Sequence, residues 1–220
     1  MKEKIKNISK LQLILTTLFV SSLLISNVIT AKQVLLPFGI TMTGAVFIFP
    51  ITYILSDLFS EVYGYKWSRF TCYLAFAMNL FMVIVFSALI QTPAPDYWTN
   101  QEAFATVLGS TPRVLIASLL AFLIGDFVND KVFAIMKKNH PTDHKGFGWR
   151  AILSSVLGEL ADSLIFLPIA FIGQMPIETL AIMTVMQVII KTGYEVVILP
   201  ITRYIVGKVS AYEKSAQVEV

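Results

Sequence analysis

Polar and charged side chains stand in the middle of apolar sequence at several points of this 220-residue chain. Their types and spacing define what chemistry they can do. Tyr53, Asp57 and Glu61 recur at intervals of four, which stacks them on one helical face. Two carboxylates and a phenol in line read either as a binding stripe or as an interfacial stripe wetted by water, with Lys66 or Arg69 as counter-ion. Glu159, Asp162 and Phe166 stand at i, i+3 and i+7, again one face. Gln187, Lys191 and Glu195 repeat the interval of four, with Tyr194 alongside. Lys191 reads as a partner of Glu195 along its own helix, or as the counter-ion of Glu159 or Asp162. Asn27, between Ser26 and Lys32, ends another apolar run. A charge at the centre of a membrane helix costs about 2.5–3.5 kcal/mol on insertion scales, so such residues face a partner or a cavity. Glu159 and Asp162 therefore point to a functional cavity or to an inter-helix ion pair.

Catalytic and metal signals are poor. His140 and His144 flank Pro141 in a basic loop, where Asp143 is the one further ligand type, so no metal site is expected. There is no HExxH, no glycine-rich phosphate loop and no GxSxG elbow. No catalytic residue and no cofactor are expected, and the chain reads as a non-enzyme. The single cysteine, Cys72, excludes an intramolecular disulfide and CxxC chemistry, and reads as a small buried hydrophobe.

The elements that must position these residues are membrane helices. Hydrophobic residues make up 56% and charged residues 14% of the chain, and the mean hydropathy is +0.73. Soluble domains run near ~45–50% apolar and ~25% charged, so too little polar material is present for an aqueous coat. A crossing helix needs about 20 apolar residues. Six stretches qualify: Leu11–Ile29, Ile40–Leu58, Phe70–Ile90, Val114–Asn129, Ala151–Ile172 and Leu180–Gly207. Strands are not expected, because the apolar runs lack the alternation of a barrel. The expected fold is an all-α, polytopic membrane bundle of about six helices. Residues 1–10 form an N-terminal segment, 11–207 the membrane domain and 208–220 a polar tail.

The loops set orientation. Lys2, Lys4, Lys6 and Lys10 precede the first span, and Lys66 and Arg69 follow the second. Lys131, Lys137, Lys138, Lys145 and Arg150 lie between the fourth and fifth. Alternate loops carry little positive charge, which places both termini in the cytoplasm. The first span is too long for a cleaved signal peptide core. A net charge of +3, spread over short loops, signals topology and no nucleic-acid partner. The loop Gln91–Pro112 has helical potential over Gln101–Leu108, either as a surface anchor or as a lid. Pro50 frees one helix carbonyl for a ligand or makes a kink. Phe49-Pro50-Ile51-Thr52 against Leu199-Pro200-Ile201-Thr202 is a faint internal repeat.

Ser26-Asn27 with Ala31-Lys32, Phe49-Pro50 with Thr52-Tyr53 and Ser56-Asp57, and then Glu61-Val62-Tyr63-Gly64 form a recognisable series. With Pro112-Arg113, Ala117-Ser118, Ala121-Phe122 and Asp162-Ser163, it resembles the queuosine precursor transporter (VUT) family, over about Leu11 to Gly207. The resemblance implies a six-helix transporter of the bacterial cytoplasmic membrane. It also implies import of 7-cyano-7-deazaguanine and 7-aminomethyl-7-deazaguanine for tRNA queuosine salvage, without an accompanying ATPase.

That substrate class suits the residues. A carboxylate accepts the adjacent N–H and amino group of a deazaguanine, and a flat ring stacks on Tyr or Phe. The expectation is that Glu61, Glu159, Asp162 or Glu195 grips the guanine edge. Tyr53, Tyr194 or Phe166 stacks on it, and Gln187 or Asn27 reads the carbonyl, with Asp57 and Lys191 on the same polar faces. The expected partners are the 7-deazaguanine and the lipid bilayer, and a homo-oligomer is compatible with the chain. Two other classes compete: a substrate-binding subunit of an ATP-driven vitamin-type importer, and a non-transporting membrane scaffold.

Overall fold

The computed structural model describes residues 8–139 and 147–218. Helix α1 runs Lys10–Ile29, β1 Gln33–Leu36, β2 Ile40–Thr43, α2 Phe49–Leu58 and α3 Tyr65–Gln91. They are followed by α4 Gln101–Leu108, α5 Thr111–Asn139, α6 Phe147–Phe171 and α7 Ile177–Val218. Four stretches among the described residues are long and apolar enough to cross a membrane: Lys10–Ile29, Tyr65–Gln91, Gln101–Asn129 and Ile177–Ile198. Helix α6 has the length to cross, at about 1.5 Å per residue, and carries Glu159 and Asp162 along it.

Sequence explains the ends. Ser9 caps α1, its Oγ accepting from the Gln12 backbone N–H at 2.9 Å. Arg113, at the start of α5, donates to the carbonyls of Ile169 and Ile172, the latter at 2.8 Å. It thereby satisfies orphan acceptors at the C-terminal end of α6.

The second expected span, Ile40–Leu58, needs correcting. Its first residues, Ile40–Thr43, are a strand paired antiparallel with Gln33–Leu36, with Leu36 opposite Ile40. Phe38 (φ 67°) and Gly39 (φ 76°) turn the hairpin in the left-handed region. A 3-10 turn over Gly44–Phe47 follows, and helix begins only at Phe49. A continuous apolar run does not distinguish strand from helix, and here the turn Pro37-Phe38-Gly39 decides. The hairpin is tied to the end of α1 by the Gly44 N–H, which donates to the Lys32 carbonyl at 2.7 Å. A Cβ on Gly44 would meet the Ile29 carbonyl oxygen at 2.6 Å, so only glycine fits.

Pro50 stands in the first turn of α2, where its missing N–H breaks no bond and makes no kink. Pro200 lies inside α7, so the repeated tripeptide occupies two different settings. Glu61 falls in a π-helical turn, Phe59–Tyr63, which breaks the four-residue register from Asp57. The last helix continues to Val218, well past Gly207.

Two apolar clusters hold the bundle. One joins Met42 and Val46 to Val114, Ala117 and Ala121 of α5, to Phe166 and Leu167 of α6, and to Met183 of α7. The other joins Phe19 of α1 to Leu55, Leu58 and Phe59, with Trp67 of α3 and Ile205 and Val209 of α7 against them. Helices α5 and α6 pack along their length through small residues. A Cβ on Gly158 would lie 2.9 Å from both the Gly125 carbonyl oxygen and Asn129 Cβ. One on Gly125 would lie 2.9 Å from the Gly158 carbonyl oxygen and 3.1 Å from Asp162 Cβ. Such small-residue crossings replace the hydrophobic drive that lipid does not supply.

Gly158→Ala and Gly125→Ala should each destabilise the purified protein by about 1–3 kcal/mol, because backbone must move to admit the methyl. Gly193→Ala, with open space around it, should stabilise by about 0.5–1 kcal/mol through helix propensity. Thermal unfolding in detergent checks the contrast.

Candidate functional site

Helices α6 and α7 bring the chemistry-bearing residues together. Lys191 Nζ donates to Asp162 Oδ2 at 2.6 Å, with the two side chains 9% and 27% exposed. One residue along α7, Thr192 Oγ1 donates to Glu159 Oε2 at 3.3 Å. Two helices are therefore stitched by paired polar contacts, from adjacent residues of α7 to residues three apart on α6. Lys191 reaches across to Asp162, one of the three partners its sequence position allowed.

Gln187, one turn before Lys191, is 1% exposed, and its Oε1 has no hydrogen-bond partner among the described residues. Ser163 Oγ, beside Asp162, is likewise buried and unpartnered among the described residues. Phe166 lies one turn beyond Asp162, and both Phe166 and Tyr194 belong to the apolar cluster that borders this polar layer. The Phe166 ring meets Phe171 edge-on at 6.4 Å. The layer thus combines a carboxylate paired with an ammonium, an amide and two aromatic rings. Lys191 occupies Oδ2 of Asp162, and a carboxylate has about four lone-pair sites. Asp162 can therefore accept from a ligand while remaining paired.

Other site residues lie elsewhere. Asn27 Nδ2 donates to Asn79 Oδ1 at 2.5 Å, and Asn79 donates on to the Ala75 carbonyl at 2.9 Å. This buried amide pair joins α1 to α3, and the structure does not bring it to the α6–α7 acids. Asp57 and Glu61 are exposed, on α2 and its π turn. The side chains of Tyr53 and Glu195 lie outside the described part of the structure, as do His140, Asp143 and His144 entirely.

Three polar constellations escaped sequence reasoning. Arg69 does not serve the Asp57–Glu61 stripe. Its guanidinium meets Asp126 Oδ2 of α5 at 2.5 Å, and its Nε donates to Tyr65 Oη at 2.8 Å. The guanidinium also lies over the Tyr65 ring, 5.0 Å from its centroid. Asn79 was hidden as one amide in an apolar span. Glu213, in the expected polar tail, is buried and accepts from Ser9 Oγ at 2.5 Å and from Tyr63 Oη at 2.9 Å. Only the unusual polarity of Asn79 inside its span was available as a signal. The other two pairings join positions too distant in sequence to be guessed.

At the opposite end of the bundle, a cavity of about 230 Å³ opens beneath α4. It is lined by Ala31, Thr106, Ser110, Val114, Phe171 and Gln174, among others. The short helix expected over Gln101–Leu108 is present, and Gln101 Nε2 ties it to the Ile90 carbonyl at 2.9 Å.

Known proteins resemble this arrangement of helices in sequence. Residues 43–205 match the family model described as "Putative vitamin uptake transporter". A relative from Bacillus subtilis (strain 168), named "Probable queuosine precursor transporter", is 26% identical over 164 residues, covering 74% of this chain and 71% of the relative. No solved structure matches. Because the matched segment takes in the hairpin end, α2 and every apolar helix from α3 to α7, the chain belongs to the vitamin uptake transporter family and is a multi-pass membrane protein.

Proposed function

We propose that this chain imports queuosine precursors, 7-cyano-7-deazaguanine and 7-aminomethyl-7-deazaguanine, across the bacterial cytoplasmic membrane. It does so as a six-span unit over residues 11–207 with both termini cytoplasmic. The relative's name supports the substrate class. The observation that carries the site is the Lys191–Asp162 pair, with Gln187 and Phe166 a turn away. Asp162 accepts the ring N–H and the exocyclic amine, the two adjacent donors of a guanine edge. Lys191 holds that carboxylate in place from its other side, at 2.6 Å. Gln187 reads the carbonyl beside those donors. Phe166 or Tyr194 receives the ring face, and Glu159, held by Thr192, closes the polar layer.

Labelled precursor uptake into cells that lack queuosine synthesis, with and without a proton gradient, tests the proposal. Asp162→Asn should lower uptake by about tenfold or more, the worth of a charge-assisted hydrogen bond. Glu61→Gln, at an exposed position, should leave uptake near the parent level. If the amide variants of Glu61, Glu159, Asp162 and Glu195 all transport normally, the binding scheme fails.

The pair also makes a stability prediction. Lys191→Met leaves a partly buried carboxylate uncompensated and should destabilise by about 1–3 kcal/mol, less than the loss of one partner from a fully buried pair. Adding Asp162→Asn removes the orphaned charge and should restore most of that stability, read as thermal unfolding in detergent. Uptake should stay lost in the double variant, which separates the ligand's need for the carboxylate from the fold's need for neutrality.

A further inference from the structure

We propose that Glu213 is the latch of an inner gate, resting on the transporter reading and its inward-facing termini. Its Oε1 accepts from Ser9 Oγ at 2.5 Å and from Tyr63 Oη at 2.9 Å. One buried carboxylate oxygen thereby joins three elements that are remote in sequence. These are the N-cap of α1, the last residue of the π turn after α2, and the far end of α7. Next to the latch, Phe19, Leu55, Leu58 and Phe59 form an apolar plug, closed by Trp67, Ile205 and Val209. Phe19 and Phe59 meet edge-on at 5.7 Å. Among the described residues this end is packed around an apolar cluster, whereas the other end holds the 230 Å³ cavity beneath α4. That asymmetry is the signature of one side of an alternating-access cycle.

The packed end also contains what it needs to open. The π turn Phe59–Tyr63 interrupts the regular hydrogen-bond ladder, and Gly64 follows with φ 85° and nothing near the place of a Cβ. Backbone at such a break absorbs dihedral change at little cost. Thr16 Oγ1 of α1 and Trp67 Nε1 and Thr71 Oγ1 of α3 are buried without a hydrogen-bond partner among the described residues. Opening would hydrate them, which offsets part of the loss of apolar contact and keeps the two states close in free energy. Tyr63 supplies the specific link, because it is both the end of the π turn and a ligand of the latch. Movement there breaks the bond to Glu213 directly.

A cross-link decides the matter. In a Cys72→Ser background, Ser9→Cys and Glu213→Cys are joined by a short reducible thiol cross-linker, and labelled 7-aminomethyl-7-deazaguanine uptake is measured before and after reduction. A latch that must open predicts that uptake falls by about tenfold or more when cross-linked and returns on reduction. Equal uptake in the two forms overturns the latch. If the uncross-linked protein takes up no precursor, the deazaguanine reading has failed, and a second measurement decides the gate alone. Leu58→Cys, fully buried in the plug, is alkylated by an impermeant maleimide in inside-out vesicles, with and without Glu213→Ala. Loss of the latch should speed labelling by about tenfold as the open state gains population, and an unchanged rate overturns the proposal.

Discussion

The meeting of α6 with α7 is organised around one costly interaction, the ion pair of Lys191 with Asp162. Lys191 is nearly buried, its side chain 9% exposed, and Asp162 is partly buried. A lone buried charge carries a penalty of several kcal/mol, and mutual attraction offsets it only when geometry is good. At 2.6 Å the geometry is good. The pair therefore dictates how α6 and α7 rotate, since each helix must turn one polar face to the other. The remaining polar groups, Glu159 with Thr192, Gln187 and Ser163, extend that shared face. A well-packed apolar pair of equal volume would hold two helices at least as firmly. Retaining charge here fits the proposed role of this layer in binding a polar heterocycle.

Positioning Asp162 in turn depends on the absence of side chains. Gly125 brings α5 so close to α6 that a Cβ there would nearly touch Asp162 Cβ. Gly158, a turn earlier, does the same for the reverse direction. The small stripe Ala117, Ala121 and Gly125 is spaced by four, so one face of α5 serves as a flat wall behind the acid. The hairpin Gln33–Thr43 completes the arrangement from the other side, with Met42 packed into the same cluster as Phe166 and Met183. Non-helical backbone in a membrane protein survives where protein covers it, and Met42, Thr43 and Gly44 are all buried.

How far this was legible in the sequence differs by element. Apolar length alone located α1 and α6 to within about four residues and found α3, α5 and α7, because the thickness of hydrocarbon sets the apolar run; it missed where α5 and α7 run on through polar sequence to Asn139 and Val218. The spacing Glu159–Asp162 and Gln187–Lys191 marked two polar faces, and the cost of isolated charge made an inter-helix pair one of few solutions. The hairpin was not legible as a strand pair. Val34-Leu35-Leu36 and Ile40-Thr41-Met42 are as apolar as a helix core, and a four-residue strand leaves no usable period. Of the stripe Tyr53, Asp57 and Glu61, only the register of Glu61 changes, since a π turn inserts itself where an ideal helix was assumed; the exposure of Asp57 and Glu61 fits the interfacial alternative. Arg69 with Asp126, and Glu213 with Ser9 and Tyr63, join residues 57, 204 and 150 positions apart. Only tertiary packing creates such contacts, and no local rule anticipates them.

A structure of the protein with 7-aminomethyl-7-deazaguanine bound would test the central claim most directly. The account predicts the guanine edge within ordinary hydrogen-bond distance of an Asp162 carboxylate oxygen, about 2.7–3.2 Å from the ring nitrogen donors, with Lys191 still holding the other side. A ligand seated away from α6 and α7, with the Lys191–Asp162 pair untouched by it, would contradict the account.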